Sequence, residues 1–114
     1  MACSCANNIY RSTATAAVNT GGTALVITPD TALTPANENR VAIMVTSTIA
    51  TAGLILPVQI TLNGTAVPVY DKFGNILYGS EIRTNAVMKG YYGTNGSGGT
   101  AHLQLVNYPF CRCS

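Results

Sequence analysis

Charge is what this sequence has least of. Among 114 residues only six are Lys or Arg, four are Asp or Glu, and one is His. The charged fraction is 9%, where average chains carry about 25%. With four carboxylates and one imidazole to draw on, few acid–base constellations can be assembled, and no enzymatic activity is expected. The net charge of +2 is spread along the whole chain, which lacks the clustered basic stripe of a nucleic-acid binder. Tryptophan is absent. No apolar run reaches the roughly 18 residues of a membrane-crossing helix, so no membrane span is expected. The N-terminus has neither a charged leader nor an apolar stretch, so no signal peptide is expected.

Cysteine is missing from residues 6–110 and confined to Cys3, Cys5, Cys111 and Cys113. Disulfide-stapled secreted domains usually tie the interior of their fold. These four lie instead in end segments, where domains are least ordered. A bridge inside Cys-x-Cys makes a small strained ring, so each cysteine is expected to pair outside its own motif. Three arrangements stay open. A bridge between the two ends of one chain closes a loop of roughly 105 residues and contributes on the order of 4.7 kcal/mol in the chain-entropy model. Bridges between chains make a covalent polymer. A zinc site from all four thiolates is the third, although structural zinc sites usually space paired cysteines by two to four residues. The expectation is cross-linking cysteines with no metal and no other cofactor.

What the sequence does contain is threonine, alanine, glycine and asparagine: 15, 14, 11 and 10 residues respectively. Amphipathic helix periodicity is absent. Short alternating runs separated by turn residues recur instead. Strands are expected near 11–18, 24–28, 40–49, 55–62, 65–70, 75–78, 86–92 and 100–107. Asn63-Gly64 is the strongest local signal, because a two-residue type I′ turn needs positive φ at both positions. That loop sets Leu62 opposite Thr65, Ile60 opposite Val67 and Val58 opposite Val69, with their apolar set on one face. Pro57 and Pro68 then fall at pairs that exchange no hydrogen bonds within the hairpin, and pairing on its outer sides is weakened. Val41, Ile43, Val45 and Ile49 share a face, as do Ala101, Leu103 and Leu105.

These runs predict a single all-β domain, a jelly roll or two-sheet β-sandwich of about eight antiparallel strands over 11–108. A connector arm over 1–10 precedes it, and a flexible Cys-bearing tail over 109–114 follows. The outer faces would carry Thr, Ala, Gln and Asn with little charge. A free monomer needs charge on its surface and sheet edges to resist association. This chain lacks that protection, so its expected partner is itself, with sandwich edges pairing across subunits.

The remaining polar residues suggest little chemistry. Asp30, Glu38, Asp71 and Glu81 sit in or beside turn-rich segments and read as solvated turn residues. His102 falls on the polar face of a strand. The glycine-rich segment 91–99 lacks the Gly-Lys-Ser/Thr ending of a phosphate loop and reads as a flexible turn. Lys72 and Lys89 would need a buried carboxylate neighbour to form an isopeptide bond, and none is evident. Asn63-Gly-Thr65 and Asn95-Gly-Ser97 match the glycosylation sequon, but the turns already explain both asparagines. Tyr70, Tyr78, Tyr91 and Tyr92 form a candidate carbohydrate-stacking platform.

The segment Met1-Ala-Cys3-Ser-Cys5-Ala-Asn-Asn8, the late cysteines and the charge-poor all-β body resemble the subunits of bacterial endospore appendages, the Ena-type pilins. That resemblance implies a jelly-roll subunit stacking into a helical homopolymer. It also implies a cysteine-bearing N-terminal connector that is disulfide-bonded in neighbouring subunits. In this chain Ser4 separates two cysteines that are adjacent in the family's connector, and Cys111 and Cys113 stand at the C-terminus. The expected function is therefore a structural subunit of a disulfide-stabilised fibre on an extracellular, cell or spore surface, without a small-molecule substrate. A capsid or decoration protein of a phage or virus, and a carbohydrate-binding module, are the alternatives.

Overall fold

Alternation of apolar and polar residues builds seven strands: β1 (Ile9–Val18), β2 (Leu25–Pro29), β3 (Arg40–Val45), β4 (Val58–Leu62), β5 (Thr65–Tyr70), β6 (Val87–Thr94) and β7 (Ala101–Leu105). The computed structural model describes residues 9–94 and 100–106. Two 3-10 turns, Thr51–Gly53 and Gly79–Glu81, complete the regular structure. Side chains alternate across each strand. Val41, Ile43 and Val45 of β3, Val58, Ile60 and Leu62 of β4, Val67 and Val69 of β5 and Leu103 of β7 are buried together. Their outward neighbours include Ala42, Met44, Gln59, Thr61, Ala66 and Gln104.

The strands close into a barrel in the order β1-β2-β4-β5-β7-β6-β3, with β3 returning to β1. This corrects the expected two-sheet, eight-strand antiparallel arrangement. The all-β class holds, but the pairs β1/β3, β2/β4 and β5/β7 are parallel. The physical reason is a chain that alternates between walls. Strands β2, β4 and β5 form one wall, and β3, β6 and β7 form the other. In each parallel pair one intervening strand carries the chain back along the barrel, so the second partner starts from the same end as the first. Residues 75–78, expected as an eighth strand, are held by the isolated bridges Pro57↔Tyr78 and Tyr70↔Ile76.

β1 joins the two walls. Its first half, Ile9 to Ala14, pairs with β3, and its second half, Ala14 to Val18, pairs with β2. Ala14 belongs to both ladders and is fully buried. Where each half runs past its partner, hydroxyls and neighbouring backbone take over. Ala16 N–H donates to Ser47 Oγ at 2.9 Å. Asp30 N–H donates to Thr13 O at 2.8 Å, and Thr31 N–H donates to Ser12 Oγ at 3.2 Å. Closure therefore leaves no full-length sheet edge, and the expected pairing of sandwich edges between subunits has no such edge to use.

The opposite seam depends on the Asn63-Gly64 hairpin. Asn63 has φ 55° and Gly64 has φ 75°, as a type I′ turn requires. Leu62 pairs with Thr65 and Ile60 with Val67, in the expected register. At the open end the expected Val58–Val69 pair is replaced. Leu77 lies between them, with Val58 N–H donating to Leu77 O at 2.8 Å and Leu77 N–H to Val69 O at 2.9 Å. Pro68 pairs with Gln59 and has no N–H to give β7. The β5/β7 ladder accordingly contains only Val69↔Leu103 and Tyr70↔Gln104.

Asn63 has a second role. Its backbone N–H donates to Leu33 O at 2.9 Å, and its Nδ2 donates to Pro35 O at 3.0 Å. These bonds draw the long 30–39 connection across one barrel end, where Leu33 is buried. Gly64→Val is expected to destabilise the fold by about 1–3 kcal/mol, because a β-branched residue is strained at positive φ. Gly64→Asn should cost less, since Asn tolerates the left-handed region. Thermal unfolding of the two variants provides the check, and equal melting curves for Gly64→Val and the parent chain would remove the turn's role.

Candidate functional site

The four carboxylates all lie off the strands, and three of them are spent on local structure. Asp71 Oδ1 accepts the N–H groups of Phe73 and Asn75, both at 2.9 Å, closing an Asx-type turn after β5. Glu81 Oε1 accepts Tyr78 N–H at 3.0 Å. Asp30 accepts a hydrogen bond from Thr13 Oγ1. Their expected identity as turn residues fits these contacts.

Glu38 is different. It has φ 70°, a left-handed conformation that costs a non-glycine residue energy. Its N–H donates to Tyr92 O at 2.7 Å, while Tyr92 N–H donates to Asn39 O at 2.9 Å. The 37–39 turn is thus fastened to β6 by its backbone. The exposed Glu38 carboxylate accepts no hydrogen bond and joins no ion pair among the described residues.

Beside Glu38 runs a groove of about 460 Å³, lined by Asn37, Glu38, Tyr91, Tyr92, Gly93, Thr94, His102 and Gln104. Register explains this gathering. Gln104 of β7 lies between Tyr70 of β5 and Tyr91 of β6, and Tyr91 continues to Arg40 of β3. Gly93 pairs with His102 one step along. The His102 ring packs over Gly93, where a methyl group would stand 3.1 Å from Cε1 and 3.2 Å from Nε2. Tyr70 meets the same ring edge-on, with centroids 5.4 Å apart and planes at 67°. Nδ1 lies 3.1 Å from Thr100 O. A carbonyl only accepts, so Nδ1 donates there and Nε2 is left facing the groove.

Sequence reading placed His102 on an outward strand face, and it is there. It gave no hint that Glu38 and Asn37 would stand beside it, because 54 residues separate Glu38 from Tyr92, and only the β3/β6 pairing joins them. Glu at positive φ also leaves no signal in the sequence, whereas Gly or Asn would have.

The four tyrosines do not make one platform. Tyr92 points inward and is buried. Tyr78 is 45% exposed beside the Gly79–Glu81 turn. Tyr91 lines the groove together with the small accessible part of Tyr92, and Tyr70 stands next to it across Gln104. Lys72 stacks its ammonium 5.3 Å from the Phe73 ring centroid, and Lys89 lies in register with Ala42 on the outer wall. No strand carries a carboxylate to place against either lysine. Among the described residues, no three His, Cys, Asp or Glu side chains gather in a way that holds a metal ion. No helix among them is long and apolar enough to cross a membrane. Cys3, Cys5, Cys111 and Cys113 lie outside the described residues, as do most of the connector arm, the C-terminal tail and the Asn95 sequon. Residues 9 and 10, assigned to the arm, belong to β1.

Comparison with protein-family models, curated proteins and solved structures gives no match.

Gly93→Ala is expected to displace the His102 ring and break its edge contact with Tyr70. The His102 Cε1 proton resonance should shift as its position in the Tyr70 ring-current field changes, while the barrel's amide spectrum persists elsewhere. An unmoved resonance would show that the ring does not rest on Gly93.

Proposed function

We propose that this chain is a structural subunit that assembles head to tail with copies of itself into a disulfide-stabilised fibre on an extracellular, cell or spore surface. The observation that carries this reading is strand direction. β1 runs parallel to β3, β3 antiparallel to β6, and β6 antiparallel to β7. β1 and β7 therefore run the same way along one wall. The chain arrives at Ile9 from the side of the 30–39 connection and leaves Val106 heading for the opposite side. Cys3 and Cys5 precede Ile9 in the sequence, and Cys111 and Cys113 follow Val106. One subunit can then offer a different cysteine pair to each of two neighbours. A heterologous contact of this kind propagates into an open filament whenever its rotation does not close.

The wall supports the same reading. Its outward strand positions are mainly Thr, Ala, Gln and other uncharged residues, with Arg11, Arg40 and Lys89 the only cations on any strand. Low charge reduces repulsion between stacked copies. The closed barrel has a buried core of its own, so disulfides are assigned to joining subunits rather than to holding the body together. In each cross-link two thiols lose two protons and two electrons to an extracellular oxidant such as dioxygen, leaving one S–S bond.

Fibres denatured without reductant are expected to give a ladder or a retained polymer on gels, collapsing to the 11.9 kDa band with reductant and heat. Deleting residues 2–8 should leave a folded barrel that does not polymerise. A lone monomer band from oxidised, denatured protein with no free thiols would assign every bridge to a single chain and remove the covalent-polymer reading.

A further inference from the structure

We propose that the groove between the 37–39 turn and the β6/β7 ladder binds a neutral saccharide. The volume, about 460 Å³, lies in the range of small-ligand sites. Its lining holds one carboxylate and no Lys or Arg among the described residues. That balance suits a ligand rich in hydroxyls and free of net charge. It disfavours an anion, which would face Glu38 with no cation from the lining to offset it.

Three polar side chains of the groove, Asn37, His102 and Gln104, are already half-committed, which fixes what each has left to offer. Asn37 Oδ1 accepts Thr94 N–H at 3.0 Å, leaving the Asn37 amide N–H groups as donors. Gln104 Nε2 donates to Asp71 O at 2.6 Å and to Leu105 O at 3.0 Å, leaving Oε1 as an acceptor. His102 has Nδ1 tied to Thr100 O, which leaves Nε2 to meet a ligand hydroxyl. Glu38 presents both carboxylate oxygens. A sugar hydroxyl both donates and accepts, so one pyranose can satisfy a neighbouring donor and acceptor together. The half-buried Tyr91 ring supplies an apolar surface for the C–H face of the sugar.

The backbone at Glu38 gives the strongest indication. A left-handed turn residue is ordinarily Gly or Asn, which adopt that conformation with little strain. Here a Glu occupies it at φ 70°, and among the described residues its carboxylate has no hydrogen-bond or ion-pair partner to repay the strain. The other three carboxylates all have intramolecular partners. A strained residue with an unspent functional group beside a preorganised ring is the pattern of a binding site. This binding does not depend on fibre formation.

Saturation-transfer difference NMR tests it on the full chain, assembled or dispersed, because the readout is the free sugar's spectrum. Cellotetraose, chitotetraose and maltotetraose are the probes, each at about 10 mM, with tetragalacturonate as the charged control. At least one neutral probe should show saturable transfer with a Kd on the order of 1 mM or tighter. Glu38→Gln and His102→Ala should each weaken it about tenfold or more, whereas Arg83→Gln, outside the groove, should not. Glu38→Gly should abolish the transfer while leaving Tm equal or higher, which a purely structural role for Glu38 would not produce. Absence of transfer from all three neutral probes would overturn the proposal. So would binding of tetragalacturonate alone, or neutral binding unchanged in both Glu38→Gln and His102→Ala.

Discussion

The rest of the structure depends on one strand serving two ladders. β1 gives its first half to β3 and its second half to β2, and Ala14 sits in both pairings without exposure. A larger side chain there would press into a core already filled by Ile27, Ile43 and Val45. Because β1 spans both walls, the sheet closes on itself and its apolar faces turn inward as a continuous set. The second seam, between β5 and β7, is short. The long ladder along β1 and the short one along β5 thus divide the work of closure unequally.

Closure also changes how a subunit of this kind can associate. Two open sheets would offer full-length edges for pairing between copies. Here the half-edges of β1 are partly taken by Ser47, Asp30 and Thr31. In the proposed fibre, association would fall to the low-charge wall and to the cysteine-bearing sequence before Ile9 and after Val106. β1 and β7 run the same way, so the barrel's first and last strands make its two ends inequivalent. Head-to-tail propagation needs that inequivalence, and a two-fold dimer does not.

The polar residues divide in the same economical way. Asp71, Glu81 and Asp30 satisfy backbone or hydroxyl groups at the barrel's ends. Glu38 has no carboxylate partner among the described residues, at the mouth of a groove where Asn37, His102 and Gln104 are held by hydrogen bonds. A surface with so little charge makes this one carboxylate conspicuous. An adhesive groove on a self-assembling body would be repeated along a fibre, and multivalency would then raise weak affinity for a polymeric glycan.

Local chemistry was legible in the chain. Period-two alternation in 40–45, 58–62 and 65–70 identified strands and their buried faces, because a pleated strand puts alternate residues on one side. Asn63-Gly64 identified its turn, because few residue pairs tolerate two positive φ angles in succession. Pro68 announced a weak outer ladder for want of an N–H. The walls to which successive strands belong were not legible. That assignment rests on contacts between residues far apart in sequence, and alternation is the same in a sandwich and in a barrel. For the same reason the insertion of Leu77 between Val58 and Val69 had no local signature, nor had the meeting of Glu38 with His102. The sequence by itself determined which residues face inward and where the chain turns. Only the tertiary structure decided barrel closure, parallel pairing and the groove, because each is set by which distant strands lie side by side.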